Sequence, residues 1–301
     1  MRVVLLGPQR RPTLDSVVRS LGLPGPFATV TAGWREREPD VGELVSLLSA
    51  GQPQAAGQPQ AAAVNLGLYR RGLDVAERDP EWAVAEREAR RVLTELQEVY
   101  LLRLDYALRA VYAVQRRADA DAVAEAVAAV RELDEAHLRR VNGVRGEFYA
   151  RFPPHDRAVI AGHREEVAAV LREASALVVA GGHVGVLADV LHLFNVAASV
   201  GSLVIAWSAG AMALTDRIVL FHDRAPQGPG HPEVYGSGLS LLRDVILLPH
   251  ARARLLLDDG PRMAVLARRF TPARCVPLEA GTRIDVEDGR WPDGIRTIEA
   301  A

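Results

Sequence analysis

The sequence predicts an α/β fold, a three-layer sandwich with a mostly parallel central sheet into which an α-helical hairpin is inserted. Short, fully apolar runs suit strands that are buried on both faces, and they alternate with stretches of helical periodicity. One long central segment is helical throughout. With 301 residues, 49% of them apolar, the chain can bury one large core or two modest ones.

Three strands separated by helices are predicted in the N-terminal part of the chain. The strands are expected at residues 3–6, 27–31 and 63–68, and helices begin after Thr13 and near Val41. Residues 50–62 read AGQPQAAGQPQAA, a direct repeat that predicts a flexible surface linker. Because the strands alternate with helices, a parallel sheet is the economical arrangement.

Residues 74–147 form the predicted insertion. Apolar residues recur there at steps of three and four in two runs, which residues 118–121 separate. This pattern predicts two antiparallel helices that interrupt an α/β domain made of residues 1–73 and 148–301. The hairpin is either a structural decoration or a lid or homodimer contact, and we expect His137 within it to be exposed to solvent.

The C-terminal half returns to strands and helices. A helix near residues 158–174 leads to a buried strand at 176–180, which ends in a Gly-Gly-His turn before another helix. A strand, a glycine turn and a helix start together place backbone N–H groups where an anion or oxyanion can bind. Any βα turn can use glycine, so this signal is not specific by itself.

Residues 201–211, GSLVIAWSAGA, predict a buried strand that ends in a sharp turn into a helix. Small residues surround Ser208, and this pattern is typical of a tight turn that exposes a nucleophilic hydroxyl. The pentapeptide is an imperfect G-x-S-x-G, because Ala206 stands where the first glycine belongs. A small-residue turn with an incidental serine is the alternative.

The charged residues limit the classes of partner and of catalytic group that we expect. The net charge of −2 provides no general attraction to nucleic acid or anionic lipid, so we expect neither as a partner. All 36 residues of the Lys+Arg count are arginines. The absence of lysine excludes a Schiff-base lysine and a Walker lysine.

Cysteine content and hydropathy indicate a cytoplasmic protein. Cys275 is the single cysteine, so no intrachain disulfide can form, and we expect it to be a buried structural thiol. The apolar run at the N-terminus is too short for a signal peptide, and no stretch approaches the roughly 20 residues of a membrane-spanning helix.

The segment 176–282 resembles the peptidase E and cyanophycinase family of serine peptidases, whose fold resembles that of class I glutamine amidotransferases. Four stretches carry the resemblance: VVAGGH at 178–183, WSAGA at 207–211, GLSLL at 238–242 leading to LPH at 248–250, and LEAGT at 278–282 followed by VEDGR at 286–290. The last stretch is shifted by one residue from the D-E-G-T turn of the family and lacks its aspartate.

The resemblance implies a catalytic triad. Ser208 would be the nucleophile and His250 the general base that takes its proton and later protonates the leaving amine. Asp223 would orient the imidazole, since it follows the serine by fifteen residues, as the acid does in the peptidase E pattern. Asp216 comes too soon after the serine for that role.

Further groups are expected around this triad. The backbone N–H groups of Gly182 and Ala209 would bind the oxyanion. His222 and His231 are rival bases, although neither follows a buried apolar run. The glycine- and proline-rich residues 224–236 form either a mobile loop over the pocket or an ordinary surface loop.

Members of this family cleave at aspartyl residues, which implies an arginine that binds a substrate carboxylate. Arg252 and Arg254 are candidates because they follow His250, and Arg217 is a weaker one. Gly181 and His183, which replaces the usual asparagine of the family, are expected to contact the substrate.

The sequence therefore predicts a serine hydrolase that cleaves a small peptide or amide through an acyl-enzyme. No cofactor is expected, and no metal, since neither H-E-x-x-H nor a Cys/His metal spacing occurs. Two alternatives remain: a catalytically silent member of the fold that binds a ligand or a partner, and an enzyme that transfers an amide to an amine acceptor.

Overall fold

The structure is a computed structural model, which describes residues 1–53, 63–117, 119–223 and 230–299. The strands are β1 (Arg2–Leu6), β2 (Phe27–Val30), β3 (Ala63–Asn65), β4 (Ala176–Val179), β5 (Leu203–Trp207), β6 (Ile218–Leu220), β7 (Glu233–Gly236), β8 (Val245–Pro249), β9 (Arg274–Leu278) and β10 (Arg283–Glu287). The helices are α1 (Leu14–Leu21), α2 (Gly42–Gly51), α3 (Leu68–Arg78), α4 (Pro80–Gln115), α5 (Ala120–Arg151), α6 (Ala158–Glu173), α7 (Val184–Leu193), α8 (Ala209–Ala213), α9 (Ala251–Arg254) and α10 (Gly260–Phe270).

The protein has a mixed α/β fold with a mostly parallel central sheet, as the sequence predicts. The strand order in this six-stranded sheet is β10-β1-β5-β4-β2-β3. Only β10 runs antiparallel to its neighbour. Two smaller pairs complete the described strands, an antiparallel β6-β7 and a parallel β8-β9.

Strand β1 shows that the central sheet is covered on both faces. Its Val3 and Leu5 belong to the core that includes the helical hairpin, whereas Val4 and Leu6 belong to a second core built with α1 and α2. Successive side chains of a strand point to opposite faces. All four side chains are buried, which explains the continuous apolar run.

The predicted elements agree with the observed ones except at several ends. Strand β3 stops at Asn65, because Gly67 adopts a left-handed conformation (φ 60°) and α3 begins at Leu68. Helix α2 continues to Gly51, so the first two residues of the predicted linker are helical, and residues 54–62 of that linker lie outside the described residues.

The prediction of a loop at residues 224–236 is wrong for its last four residues. Glu233–Gly236 forms β7, which pairs with β6, and residues 224–229 lie outside the described residues. The strand forms because its alternate residue Val234 can be buried in the core.

Helices α4 and α5, with 36 and 32 residues, form the two long helices that the periodicity predicts. Helix α5 runs to Arg151, four residues beyond the predicted end of the insertion. The prediction that His137 is exposed is wrong: its side chain is buried, stacks on Tyr100 with ring centroids 4.0 Å apart, and hydrogen-bonds Gln97 at 2.8 Å. Burial lowers the pKa of His137 to about 4.

Cys275 lies buried in β9, as expected. None of the described helices combines the length and the apolar character that a bilayer span requires.

Candidate active site

Strand register places Ser208 between two glycines. Leu6 pairs with Trp207, and Val179 pairs with Ala206. One and two residues further along these parallel strands, Gly7 and Gly181 flank Ser208. A Cβ atom added to Gly181 would lie 2.9 Å from the Cβ of Ser208, so the serine needs a glycine beside it.

The backbone of Ser208 is strained. Its φ of 51° and ψ of −126° lie outside the regions that non-glycine residues ordinarily adopt. The residue directly follows β5 and directly precedes α8, and a Cβ atom at Gly210 would lie 2.4 Å from the carbonyl oxygen of Val179. Only small residues allow this close passage, which explains the composition of the turn.

Ser208 opens into a cavity of about 1280 Å³ that His250 also lines. The serine and the histidine are both partly exposed. Among the described residues, the Ser208 hydroxyl has no hydrogen-bond partner, and His250 is not within hydrogen-bond distance of it. The structure thus brings the two residues to one cavity without joining them.

His250 and Glu279 are the first residues after two paired strands. Pro249 of β8 lies opposite Leu278 of β9, and the His250 N–H donates to the Leu278 carbonyl at 3.0 Å. The next residues along these parallel strands are His250 and Glu279. The Glu279 carboxylate accepts a hydrogen bond from the backbone N–H of Arg252 at 2.7 Å, and it forms no hydrogen bond with His250.

Burial is the largest influence on the pKa of His250 and lowers it below its ordinary value. The positive charges of Arg254 and Arg10 lower it further, and the Glu279 carboxylate opposes them. The imidazole is therefore neutral near neutral pH, the state in which it can accept a proton.

Asp223, the predicted third member of the triad, is engaged elsewhere. Its carboxylate is buried and accepts hydrogen bonds from Arg262 at 2.6 and 3.0 Å and from the Leu256 N–H at 3.1 Å. It does not line the cavity, and it forms no hydrogen bond with His250. The structure thus does not bring Asp223 to the histidine.

The glycine turn after β4 lies beside the serine. Gly182 has a φ of 127°, which only glycine adopts readily, and a Cβ atom there would lie 2.4 Å from the Gly33 carbonyl. The turn is fixed by the His183 N–H, which donates to the Gly33 carbonyl at 2.8 Å. Within the described part of the chain, the N–H groups of Gly182 and Ala209 donate to no acceptor.

Among the predicted substrate contacts, Gly181 and Arg254 line the cavity, and the remaining three do not. The His183 imidazole caps α7, where its Nδ1 accepts a hydrogen bond from the Val186 N–H at 3.2 Å. Arg252 is exposed, and Arg217 is paired with Glu135 on the hairpin.

Arg10 is a cavity residue that the sequence reasoning missed. It lines the cavity together with Arg254, and burial and the charge of Arg10 lower the pKa of Arg254. Neither arginine has a carboxylate partner among the described residues. Its position shortly after β1, next to the strand that carries Ser208, was the available signal, since residues after neighbouring parallel strands meet at one sheet edge.

His222 and His231 also line the cavity. His222 is exposed, whereas the Nε2 atom of His231 lies 3.6 Å from Asp105 and its buried Nδ1 atom has no hydrogen-bond partner among the described residues. No cluster of His, Cys, Asp and Glu suited to a metal ion occurs among residues 1–53, 63–117, 119–223 and 230–299.

Comparison with known proteins identifies no family. No family model matches the chain, and no curated protein matches it. A crystal structure described as a peptidase from an acI-B1 Actinobacterium superposes with a TM-score of 0.46 at 12% sequence identity, over 100% of this chain and 91% of that chain. A TM-score of this size assigns neither a family nor an activity.

Proposed function

We propose that this protein is a serine hydrolase of the peptidase E and cyanophycinase type, which cleaves a small peptide or amide bond through an acyl-enzyme. The observation that carries the proposal is the strained backbone of Ser208 at a strand-to-helix turn that opens into the large cavity. Strain of this kind in a non-glycine residue persists where the surrounding structure enforces it, and it clusters at active sites.

In this mechanism, the Ser208 hydroxyl attacks the scissile carbonyl while His250 accepts its proton. The N–H groups of Gly182 and Ala209 stabilise the oxyanion of the tetrahedral intermediate. His250 then protonates the leaving amine, and a water molecule activated by the same histidine hydrolyses the acyl-enzyme. The missing hydrogen bond between Ser208 and His250 is compatible with this role, since such bonds are often long in unliganded enzymes.

Glu279 is the carboxylate that we assign to orient His250, in place of Asp223. Its support is the register of β8 and β9 and the electrostatic effect of its carboxylate on the pKa of His250. Asp223 is less suited, because Arg262 and Leu256 already occupy both of its oxygens.

Arg10 and Arg254 favour a substrate that carries a carboxylate. They lie in the cavity with His250, and neither has a carboxylate partner among the described residues. A substrate carboxylate between two guanidinium groups would receive charge-assisted hydrogen bonds. This supports an aspartyl-type peptide rather than an uncharged amide.

Labelling with a fluorophosphonate probe tests the nucleophile. We expect the folded protein to be labelled, and the Ser208→Ala and His250→Ala variants to lose the label. Ser240→Ala is the matched control, because Ser240 is another partly exposed serine with positive φ (55°), and this variant should label like the original protein. An unlabelled protein, or equal labelling of Ser208→Ala, would contradict the proposal.

Amine release from a panel of Asp-X and β-aspartyl peptides tests the substrate class. We expect hydrolysis of peptides that carry the aspartyl carboxylate, and a raised KM when Arg10→Gln and Arg254→Gln are introduced. Equal rates on the matched asparaginyl peptides would contradict carboxylate recognition while leaving the labelled serine in place.

A further inference from the structure

One face of α4 carries adjacent apolar side chains that stay exposed in the described part of the chain. Val99, Leu102 and Tyr106 keep 51%, 62% and 66% of their surface exposed, and their spacing of three and four residues makes them neighbours on the helix. The opposite face of α4 is buried in the core. Adjacent exposed apolar residues are a feature of interaction surfaces.

Charged residues continue this face toward both ends of α4 in a symmetric order. At steps of seven residues, the face carries two glutamates, one leucine and two arginines, all of them exposed: Glu88, Glu95, Leu102, Arg109 and Arg116, which caps the helix. Seven residues are nearly two turns, so these positions differ in direction by only about 20° per step. One half of the face is thus acidic and the other half basic, with the leucine at the centre.

This order is complementary to itself when two copies of the helix run antiparallel. A two-fold axis through Leu102 brings together positions that lie equally far from it on either side. Glu95 then lies opposite Arg109 of the second copy, and Glu88 lies opposite Arg116. A parallel pair would instead place glutamate against glutamate and arginine against arginine, which is repulsive. The charges therefore favour a second copy of this chain as the occupant, in one orientation.

The ion pairs within one copy do not prevent this contact. Glu88 and Glu95 both pair with Arg91, and Arg109 pairs with Asp105 at 2.9 Å. All three pairs lie on the surface and involve long, mobile side chains. Exposed pairs of this kind are weak, so the charges can turn toward a second helix at little cost.

We propose that this protein forms a two-fold symmetric homodimer through α4, with the two helices antiparallel and Leu102 on the symmetry axis. Val99 of each copy packs near Tyr106 of the other, which gives the interface an apolar centre between charged ends. The dimer does not involve Ser208 and forms whether or not that serine is active.

Sedimentation velocity of the full chain tests the oligomeric state. We expect a dimer at about 100 μM that dissociates on dilution. Ser208→Ala should give the same result, so the failure of the dimer and the failure of the hydrolase proposal can be told apart. A chain that is monomeric at about 100 μM would overturn the proposal and would leave the face to a different partner.

Charge reversal locates the interface. Glu95→Arg and Arg109→Glu each place like charges opposite each other twice per dimer, and we expect at least about a tenfold larger dissociation constant for either variant. A mixture of the two variants restores opposite charges at both places, so it should form a heterodimer. Glu165→Arg is the matched control, since Glu165 is an exposed glutamate of α6 outside this face. Unchanged dimerisation of the two single variants, or no recovery in their mixture, would overturn the proposal.

Leu102→Glu tests the position of the axis. It places two carboxylates against each other at the apolar centre, and we expect a monomer at concentrations where the original chain is a dimer. Leu73→Glu is the matched control, because Leu73 is an exposed leucine of α3 outside this face. Circular dichroism checks that both variants fold, and the charge variants carry the test if Leu102→Glu does not. Equal dimerisation of the two folded leucine variants would overturn the proposal.

Discussion

At the scale of single residues, conformation distinguishes Ser208 from an incidental serine. The sequence offers a small-residue turn, which many proteins use without chemistry. In the structure, the Ser208 backbone has a φ of 51°, the residue lines a large cavity, and Gly181 lies close beside it. A strained conformation has a cost of order 1–3 kcal/mol, so the fold must enforce it from outside the turn.

The pKa of His250 predicts the pH dependence of serine labelling. The imidazole must be neutral to accept a proton, so the labelling rate is full above its pKa and is lost as the pH falls through it. Burial and two arginines lower that pKa, so we expect the midpoint below about 6.5. Arg254→Gln removes a nearby positive charge and should move the midpoint to higher pH.

Arg252→Gln is the control for this profile, because Arg252 is exposed and is not among the charges that shift the pKa of His250. Its midpoint should stay with that of the original protein. A midpoint above the ordinary histidine value in the unmodified protein would contradict the prediction.

The assignment of the orienting carboxylate is tested by Glu279→Gln and Asp223→Asn. We expect Glu279→Gln to lower the labelling rate on the order of 10⁴-fold, as amide replacement of an orienting carboxylate does in serine proteases. Asp223→Asn should change the rate of the folded protein far less, although it weakens the contact with Arg262. The opposite ranking, measured on samples with matched circular dichroism, would restore Asp223 to the triad.

At the scale of elements, a buried polar cluster fastens the helical hairpin to the rest of the chain. Arg269 of α10 binds Asp134 of α5 through two hydrogen bonds of 2.6 and 2.7 Å, and Tyr100 of α4 donates to the same carboxylate at 2.8 Å. The Tyr100 hydroxyl also accepts from the Val234 N–H, and Arg269 donates to the Pro232 carbonyl. The cluster therefore positions the segment around β7 as well as the hairpin.

Asp134→Ala should destabilise the protein strongly. It leaves the Arg269 guanidinium buried and without its carboxylate, a change that costs about 3–5 kcal/mol in comparable pairs. The measurement is the free energy of unfolding in urea. Glu88→Ala breaks an exposed pair with Arg91 and should have no measurable effect. Equal stability of both variants would contradict the role of the cluster.

At the scale of the whole molecule, the two ends of the chain meet beside the candidate site. Strand β10, near the C-terminus, pairs with the N-terminal strand β1, and the Gly7 N–H donates to the Thr282 carbonyl at 2.8 Å. Gly7 also lies so close to Glu279 that an added Cβ atom would sit 1.7 Å from its carbonyl oxygen. The position of Glu279 thus depends on residues more than 270 positions away.

Gly7→Ala should therefore disturb both stability and the site. Because the added methyl group overlaps backbone, either β1 or the turn at Glu279 must move, and we expect a loss of about 1–3 kcal/mol in the free energy of unfolding. We also expect slower labelling of Ser208. Gly22→Ala is the control. Gly22 has a left-handed backbone with open space around it, so this variant should lose some stability, but its Ser208 should be labelled at the normal rate. Normal labelling of Gly7→Ala would contradict the link between the two chain ends.

The fold was largely predictable because its signals are local. Continuous apolar runs identified the strands of the buried sheet, and two periodic runs identified the long helices. The hydrophobic periodicity could not show that His137 packs inside the hairpin. A single histidine on a helix gives the same sequence pattern whether its ring is exposed to solvent or stacks on another ring. The end of β3 and the presence of β7 depended on single turns and on pairing with distant strands.

For the candidate site, the sequence by itself determined the local geometry: a strand, small residues that permit a tight turn at Ser208, a glycine turn at Gly182, and a histidine after a buried strand. Only the tertiary structure decided which side chains accompany them. The pairing of β8 with β9 places Glu279 where its charge acts on the pKa of His250, and the neighbouring ends of β1 and β5 bring Arg10 to the cavity. Turn geometry depends on adjacent residues. These partners instead depend on the register between distant strands, which no local sequence pattern specifies.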